Sequence, residues 1–145
     1  MDPAVQSVAV ARGARILHAA LVIGQILVGA TFFLLIRVQG PLAGGTPLIG
    51  YVTAGLALVI LSVAFAFLRP RIPQRSTNQS PDDYWGRAEV RGAAIVIWAV
   101  VEGSGLFSWI GYVMTASIVP AAVGVLAIIT EFALRPSRLE GDEGA

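Results

Sequence analysis

Four side chains that can exchange protons or form strong hydrogen bonds lie inside apolar stretches of this chain: His18, Gln25, Glu102 and Glu131. An ionisable side chain in such a stretch is costly when the surroundings are lipid, so by default it marks a proton, ion or ligand site. Glu102 stands out because Gly103-Ser104-Gly105, which weakens a helix, follows it directly. A carboxyl group in this setting predicts proton exchange or an interhelical hydrogen bond.

Four apolar segments carry these residues, and the composition predicts that their solvent is lipid. The chain has 145 residues, of which 56% are hydrophobic and 13% are charged, whereas soluble domains contain about 25% charged residues. A run of about 20 apolar residues matches a hydrocarbon core of about 30 Å, and lipid forces such a run to be helical. The predicted fold is therefore an all-α membrane protein, a single-domain four-helix transmembrane bundle. Its helices are expected at about 16–36, 48–68, 92–112 and 118–134.

The last two segments form one apolar stretch, 92–134, that is about twice the length needed to span a membrane. A hairpin is therefore predicted, with its turn at Thr115–Ser117. Ser117 can cap the fourth helix, and Pro120 falls in the first turn of that helix, where its missing N–H costs nothing.

The first segment could instead be a signal peptide, because Arg12 and Arg15 precede it. The apolar region of a signal peptide is about 7–15 residues long, and this segment is longer. A retained membrane helix is the favoured interpretation.

The arginines predict the orientation. The chain has ten arginines and no lysine, and nine of the arginines lie in the N-terminal tail, the loop at about 69–91 and the C-terminal tail. Only Arg37 lies on the other side. Because cytoplasmic loops are enriched in positive charge, both termini and the long loop are expected in the cytoplasm. The Arg-only, Ala- and Gly-rich composition suggests a bacterial inner membrane.

The long loop contains a helix-start signal, "SPDD", at 80–83. It combines a capping serine, a proline at the first helical position and two acids near the positive end of the helix dipole. Either the third helix begins inside the loop, or a short separate helix precedes it. An ordinary capped helix start is favoured over a binding site.

The number of residues from the start of each predicted helix gives the depth of a side chain in the membrane, and these depths predict two polar pairs. The first and third helices run in the same direction, and Gln25 and Glu102 lie ten and eleven residues into them. Their side chains are therefore expected to hydrogen-bond near the membrane centre. His18 and Glu131 are both expected near the inner boundary, where Arg91 and Arg135 compete for the carboxylate.

Four glycines are predicted to let neighbouring helices approach closely: Gly24, Gly29, Gly103 and Gly105. Gly24 and Gly103 each follow an alanine at a spacing of four residues, which is the small-xxx-small pattern of membrane helix contacts. Close packing beside Glu102 is favoured over a hinge in the third helix.

Several classes of function are disfavoured. A net charge of +1 and the absence of lysine give no basis for nucleic-acid binding. The chain has no cysteine for disulfides or thiolate sites, and a single histidine cannot supply the paired ligands of a haem. No hydrolase signature is present. We therefore expect no enzymatic activity, no cofactor and no metal site.

Three short motifs resemble small four-helix bacterial membrane proteins of unknown function. These are "LHAALVIGQIL" in the first segment, "WAVVEGSGLFSWIGYVMT" in the third and "RPSRLE" in the tail. The resemblance implies the fold and no activity. Small multidrug transporters and rotary-ATPase proteolipids fit less well, because they carry their carboxylate on other helices.

Two functional hypotheses remain. The first is a non-enzymatic structural or accessory subunit of a membrane complex, in which Gln25 and Glu102 form a hydrogen bond that holds two helices together. Its partners would be the lipid bilayer and other membrane subunits or further copies of this chain. The alternative is a small transporter or proton-coupled ligand-binding protein that uses Glu102.

Overall fold

The computed structural model describes residues 3–42 and 46–141. Its helices are α1 (Pro3–Gln39), α2 (Pro47–Val63), α3 (Pro81–Gly86), α4 (Ala88–Thr115), α5 (Ile118–Ala133) and α6 (Pro136–Glu140). A π-helical turn, Ala64–Leu68, and a 3₁₀ turn, Arg69–Arg71, continue α2. The described residues contain no β-strand, which confirms the all-helical part of the predicted fold.

Three helical stretches are long and apolar enough to cross a membrane. They are Ser7–Gln39, Pro47–Arg71 and Ala88–Thr115. The fourth apolar helix, α5, has 16 residues. At about 1.5 Å per residue it is about 24 Å long, which is shorter than a hydrocarbon core of about 30 Å.

The helix α1 is longer than the sequence predicted. It begins at Pro3, whereas the predicted membrane helix began at 16. The added residues, "PAVQSVAVARGAR", contain proline only at the first position, where a helix tolerates it. The N-terminal tail is therefore helical from residue 3 and continues the same axis beyond the apolar segment.

The central helix of the molecule is α4, which packs against α1, α2 and α5. The helices α1 and α4 run parallel, since His18 lies against Trp98 while Gly29 lies against Trp109. The α5 helix runs antiparallel to α4. Its start meets Ser108, which donates to the carbonyl of Pro120 at 2.7 Å.

The α4–α5 hairpin turns where the sequence predicted. Ala116 adopts a left-handed conformation with φ of 55°, and its N–H bonds to the carbonyl of Tyr112 at 2.7 Å. The hydroxyl of Ser117 accepts from the N–H of Val119 at 3.4 Å. The predicted cap is therefore confirmed.

The short helix α3 precedes α4 and packs against α1, and α6 contacts α1 and Trp85 of α3; we call this part of the molecule the α3–α6 end. The Ser80 hydroxyl accepts from the N–H of Asp83 at 3.1 Å, which confirms the helix-start signal. Arg87 has extended backbone angles and separates α3 from α4. Of the two alternatives that the sequence left open, the short separate helix is present.

The C-terminal segment "LEGDEGA" is acidic, and its first part, Leu139–Gly141, packs against the rest of the molecule through Glu140. Glu140 ends α6 and is buried, and its Oε1 accepts from Trp85 Nε1 at 2.6 Å and from Arg15 Nη2 at 3.2 Å. A tryptophan N–H and a guanidinium thus satisfy one carboxylate oxygen. This contact joins α6 to α3 and α1.

Candidate functional site

The most unusual side chain in the molecule is Glu131, on the face of α5 that packs into the bundle. It is 1% exposed, and neither of its carboxylate oxygens has a hydrogen-bond partner among the described residues. The predicted competitors, Arg91 and Arg135, therefore do not bond to it, and Arg91 donates instead to backbone carbonyls of α3. Buried polar atoms in proteins are almost always paired, so this carboxyl group needs an explanation.

Glu102 of α4 lies at the same level as Glu131. Counted from the hairpin, Glu102 is 13 residues before Thr115 and Glu131 is 13 residues after Ile118. Both are therefore about 20 Å from the turn. From sequence, Glu131 is expected near the inner boundary and Glu102 near the membrane centre, and this difference in depth is wrong.

The error in depth has a simple cause. The end of α5 is level with Trp98, whose Nε1 donates to the carbonyl of Leu134 at 2.9 Å. The start of α4, Ala88, lies ten residues before Trp98, which is about 15 Å further along the axis. The ends of the two apolar segments therefore lie at different depths, and counting from them misplaces Glu131.

Gln25 of α1 lies beside the carboxyl pair but does not bond to either side chain. Its Nε2 donates to the backbone carbonyl of Glu102 at 3.2 Å, and its Oε1 is buried without a partner among the described residues. The predicted side-chain hydrogen bond between Gln25 and Glu102 is therefore wrong. The half-buried Glu102 side chain instead approaches α1 at Gly24, where a Cβ would lie 3.9 Å from Glu102 Oε1.

His18 and Glu131 are neighbours, as the sequence predicted, but the contact is to the backbone. The Nε2 of His18 lies 3.0 Å from the carbonyl oxygen of Glu131. Because a carbonyl oxygen only accepts, Nε2 carries a proton in this contact. The imidazole also stands edge-on to the ring of Trp98, with 5.0 Å between ring centroids. The carboxyl group of Glu131 gains no partner from this pair.

Two of the glycines predicted to allow close helix packing, Gly105 and Gly29, leave space for a large side chain of a neighbouring helix. A Cβ on Gly105 would collide with the amide of Gln25. A Cβ on Gly29 would lie 2.6 Å from the ring of Trp109, and one on Gly124 would lie 2.7 Å from the same ring. These glycines therefore hold α1, α4 and α5 at the spacing that the site requires.

The three residues of the motif Gly103-Ser104-Gly105 lie on three different faces of α4. Gly105 faces Gln25, and Ser104 donates to the carbonyl of Ala57 in α2 at 2.8 Å. Gly103 is exposed, and no atom lies within 4 Å of a Cβ built on it. The predicted packing role of Gly103 within this chain is therefore wrong. Residues one apart on a helix do not share a face, so Gly103 cannot pack on α2 together with Ser104.

Trp98 and Trp109 belong to the site, although the sequence analysis gave neither a role there. Trp109 is buried between Gly29 and Gly124, and its Nε1 has no partner among the described residues. The glycines facing it were the available signal. Trp98 fixes the end of α5 and contacts His18, and its shared face with Glu102 on the third segment was visible in the sequence.

The arrangement suits proton chemistry better than metal binding. No group of three or more His, Asp or Glu side chains in residues 3–42 and 46–141 is placed to hold a metal ion. Two carboxyl groups at one level of two packed helices repel each other when both are ionised. Such a pair can hold one proton and release it when its surroundings change.

Comparison with protein-family models, curated proteins and solved structures finds no match to this chain. The resemblance to small four-helix bacterial membrane proteins therefore stays a prediction from three short motifs.

Proposed function

We propose that the chain is an integral membrane protein of the bacterial inner membrane, with α1, α2, α4 and α5 as its four spanning helices. Three of these are long and apolar enough to cross. The shorter α5 would be accommodated by local thinning of the bilayer. The arginine distribution supports cytoplasmic termini and a cytoplasmic α3–α6 end.

Within that membrane protein, the function that the geometry supports best is proton exchange at Glu131, as in a small proton-coupled transporter or ligand-binding protein. The observation that carries this proposal is the fully buried carboxyl group of Glu131 without a hydrogen-bond partner among the described residues. An unpaired charge at this site would cost several kcal/mol or more, so burial favours the neutral form. Ionisation then requires a change in the site, and that coupling is what a proton-driven protein uses.

The proposal differs from the sequence-based alternative in the residue that exchanges the proton. Glu102 is half-buried and its backbone carbonyl, not its carboxylate, receives the bond from Gln25. It lies at the same level as Glu131, on the helix that pairs with α5 in the hairpin. Glu102 is therefore assigned a modulating role, in which its own ionisation opposes that of Glu131.

A purely structural role accounts less well for Glu131. Polar side chains that hold membrane helices together do so through hydrogen bonds that contribute about 0.6 kcal/mol each. Glu131 forms no side-chain hydrogen bond with the described residues, and Gln25 leaves its Oε1 unpaired. These groups cost free energy in the folded state, and this supports a functional reason for keeping them.

The test is the charge movement that follows a pH jump in membranes containing the purified, reconstituted protein. The wild type should give a transient current, and Glu131→Gln should abolish it. Glu102→Gln should keep the current but shift its pH dependence. The matched control is Glu89→Gln on the exposed start of α4, which should behave as the wild type. A full current from Glu131→Gln would overturn the proposal.

A second candidate, the accessory or self-associating subunit, is favoured by a different observation. Gly103 leaves an exposed gap on the outer face of α4, next to the half-buried carboxyl group of Glu102. A helix of another subunit at this gap would cover Glu102 and keep it from lipid. Affinity purification in mild detergent tests this: a stoichiometric second chain or a dimer supports it, and a lone monomer contradicts it.

A further inference from the structure

The buried polar side-chain atoms that lack a hydrogen-bond partner lie in one interface. Among the described residues, these atoms are Oε1 and Oε2 of Glu131, Oε1 of Gln25 and Nε1 of Trp109. All three side chains are more than nine-tenths buried. They come from α5, α1 and α4, the helices that meet around the carboxyl site. Because each unpaired buried atom costs free energy, their concentration here indicates a function for this interface.

Gln25 follows Glu131 in the direction of the α4–α5 hairpin. A Cβ built on Gly105 would lie 2.7 Å from the amide carbon of Gln25 and 3.0 Å from the Cβ of Ala127. The Gln25 amide is therefore level with Ala127, which precedes Glu131 by about one turn on the same face of α5. Since helical side chains lean towards the N-terminus of their helix, the carboxyl group of Glu131 leans towards this amide.

The ring of Trp109 continues the series towards the hairpin. It lies against Gly124 of α5 and Gly29 of α1. Gly124 is seven residues before Glu131, and Gly29 is four residues after Gln25, so both steps lead towards the α4–α5 turn. The series extends over about 10 Å along α5. We call Glu131, Gln25 and Trp109 the polar track.

On the other side of Glu131, towards the α3–α6 end, aromatic rings close the interface. His18 Nε2 donates to the carbonyl of Glu131 at 3.0 Å, and its imidazole stands edge-on to Trp98. Trp98 Nε1 donates to the carbonyl of Leu134 at 2.9 Å. The ring of Trp85 follows, 5.9 Å from that of Trp98, and its N–H is also bonded. These N–H groups are paired, unlike the atoms of the polar track.

We propose that Glu131 exchanges its proton with the hairpin side of the membrane, along the polar track, and not with the side of the α3–α6 end. This inference rests on the proposed function, proton exchange at Glu131. The carboxyl O–H bond breaks as an O–H bond forms on a water molecule that enters the track, and the hydronium ion leaves at the hairpin side. Gln25 Oε1 accepts a hydrogen bond from this water and Trp109 Nε1 donates one, so each gains the partner it lacks.

Glu131 is the titratable group of the track itself. The other helices packed against α5 contribute few titratable groups at the levels of the track and of the turn beyond it: His18, Glu102 and Tyr112. The α2 stretch carries none between Tyr51 and Arg69, and α5 carries none besides Glu131. The positioning role in the exchange therefore belongs to Gln25, whose amide lies between the carboxyl group and the hairpin.

The test releases protons on one chosen side of membranes that contain the full chain in a single orientation. Labelling of Thr46→Cys, which precedes α2 on the hairpin side, verifies the orientation. A light flash frees protons from a caged compound on either side, and the recorded signal is the charge movement that Glu131→Gln abolishes. Because paired aromatic groups close the other side, release on the hairpin side should give a response at least about tenfold faster.

Gln25→Met removes the amide and keeps the length of the side chain. It should slow the hairpin-side response about tenfold, because a hydrogen bond along the track is lost. The matched control is Gln39→Met at the exposed end of α1, which should stay within about twofold of the wild type, since surface substitutions change free energies little. If Gln25→Met does not fold, Gln25→Asn withdraws the amide by one methylene and should slow the response about threefold or more.

An equal or faster response to protons released on the side of the α3–α6 end would overturn the track. An unchanged hairpin-side rate in the folded Gln25 variant would overturn it as well. Either result leaves proton exchange at Glu131 standing, because the charge movement that depends on Glu131 is still present. A full charge movement in Glu131→Gln instead overturns the proposed function, and the track with it.

Discussion

At the scale of single residues, the account depends on which atoms of each polar group find partners. The cost of exposing polar groups to lipid predicts that His18, Gln25 and Glu131 face the interior, and all three are buried. The sequence could not predict the partner atoms. Gln25 reaches a backbone carbonyl of α4 because Gly105 has no Cβ in its path. Such a choice depends on helix spacing of a few ångströms, which composition and depth do not specify.

Tyr84 gives a prediction at the α3–α6 end. Burial raises the pKa of the Tyr84 phenol above its ordinary value of about 10, and nearby Glu140 adds to this while Arg87 and Arg75 oppose it. Because the folded protein holds this proton more tightly than the unfolded chain does, Tyr84 contributes stability below pH 10 that is lost as pH rises through the higher folded value.

The first measurement is the tyrosinate absorbance of the purified protein as a function of pH. The second is the midpoint of unfolding of the protein in detergent, measured over the same pH range. Subtracting the Tyr84→Phe spectrum should reveal one phenol that ionises later than a free tyrosine. Stability should fall less steeply above pH 10 in Tyr84→Phe than in the wild type. A difference spectrum that follows an ordinary free phenol would contradict the burial argument.

At the scale of helices, the sequence predicts which segments are helical better than where each one sits along the bundle axis. Hydrophobic length and the cap at Ser117 locate α4, α5 and their turn. The relative depth of their far ends follows from the unequal lengths of the two helices, 28 and 16 residues. Apolar composition does not show this, because α4 begins at Ala88, before the apolar stretch that starts at 92.

Glycine positions give a prediction about helix packing. Gly29→Ala should destabilise the protein by about 1–3 kcal/mol, because the added methyl group overlaps the buried ring of Trp109. Gly103→Ala is the matched control, since it adds the same methyl group where no atom lies within 4 Å. It should be neutral or stabilise by up to about 1 kcal/mol through helix propensity. Unfolding in mixed micelles measures both, and a larger loss for Gly103→Ala would contradict the packing described here.

At the scale of the whole molecule, three helices are long and apolar enough to cross a membrane, and the orientation with cytoplasmic termini stays a prediction from the arginine distribution. Composition was sufficient to predict an all-helical fold with helices long and apolar enough to cross a membrane. It was not sufficient to predict the α3–α6 end, where Glu140, Trp85 and Arg15 join three helices. That contact connects residues far apart in sequence, and no local pattern encodes it.

Topology can be tested by single-cysteine labelling, since the chain has no native cysteine. Thr46→Cys precedes α2, and Ser76→Cys lies in the segment between the α2 stretch and α3; both positions are exposed. A membrane-impermeant thiol reagent should label Thr46→Cys from outside the cell and Ser76→Cys only after the membrane is opened. Labelling of both from the same side would contradict a spanning α2.

The most direct measurement of the central claim is infrared difference spectroscopy of the reconstituted protein across a pH titration. The account predicts the C=O stretch of a buried protonated carboxyl group in the wild type and in the exposed-site control Glu89→Gln, with loss of that band in Glu131→Gln. Burial of an unpaired carboxyl group favours this neutral form. A wild-type spectrum without such a band, or a band that persists unchanged in Glu131→Gln, would contradict proton exchange at Glu131.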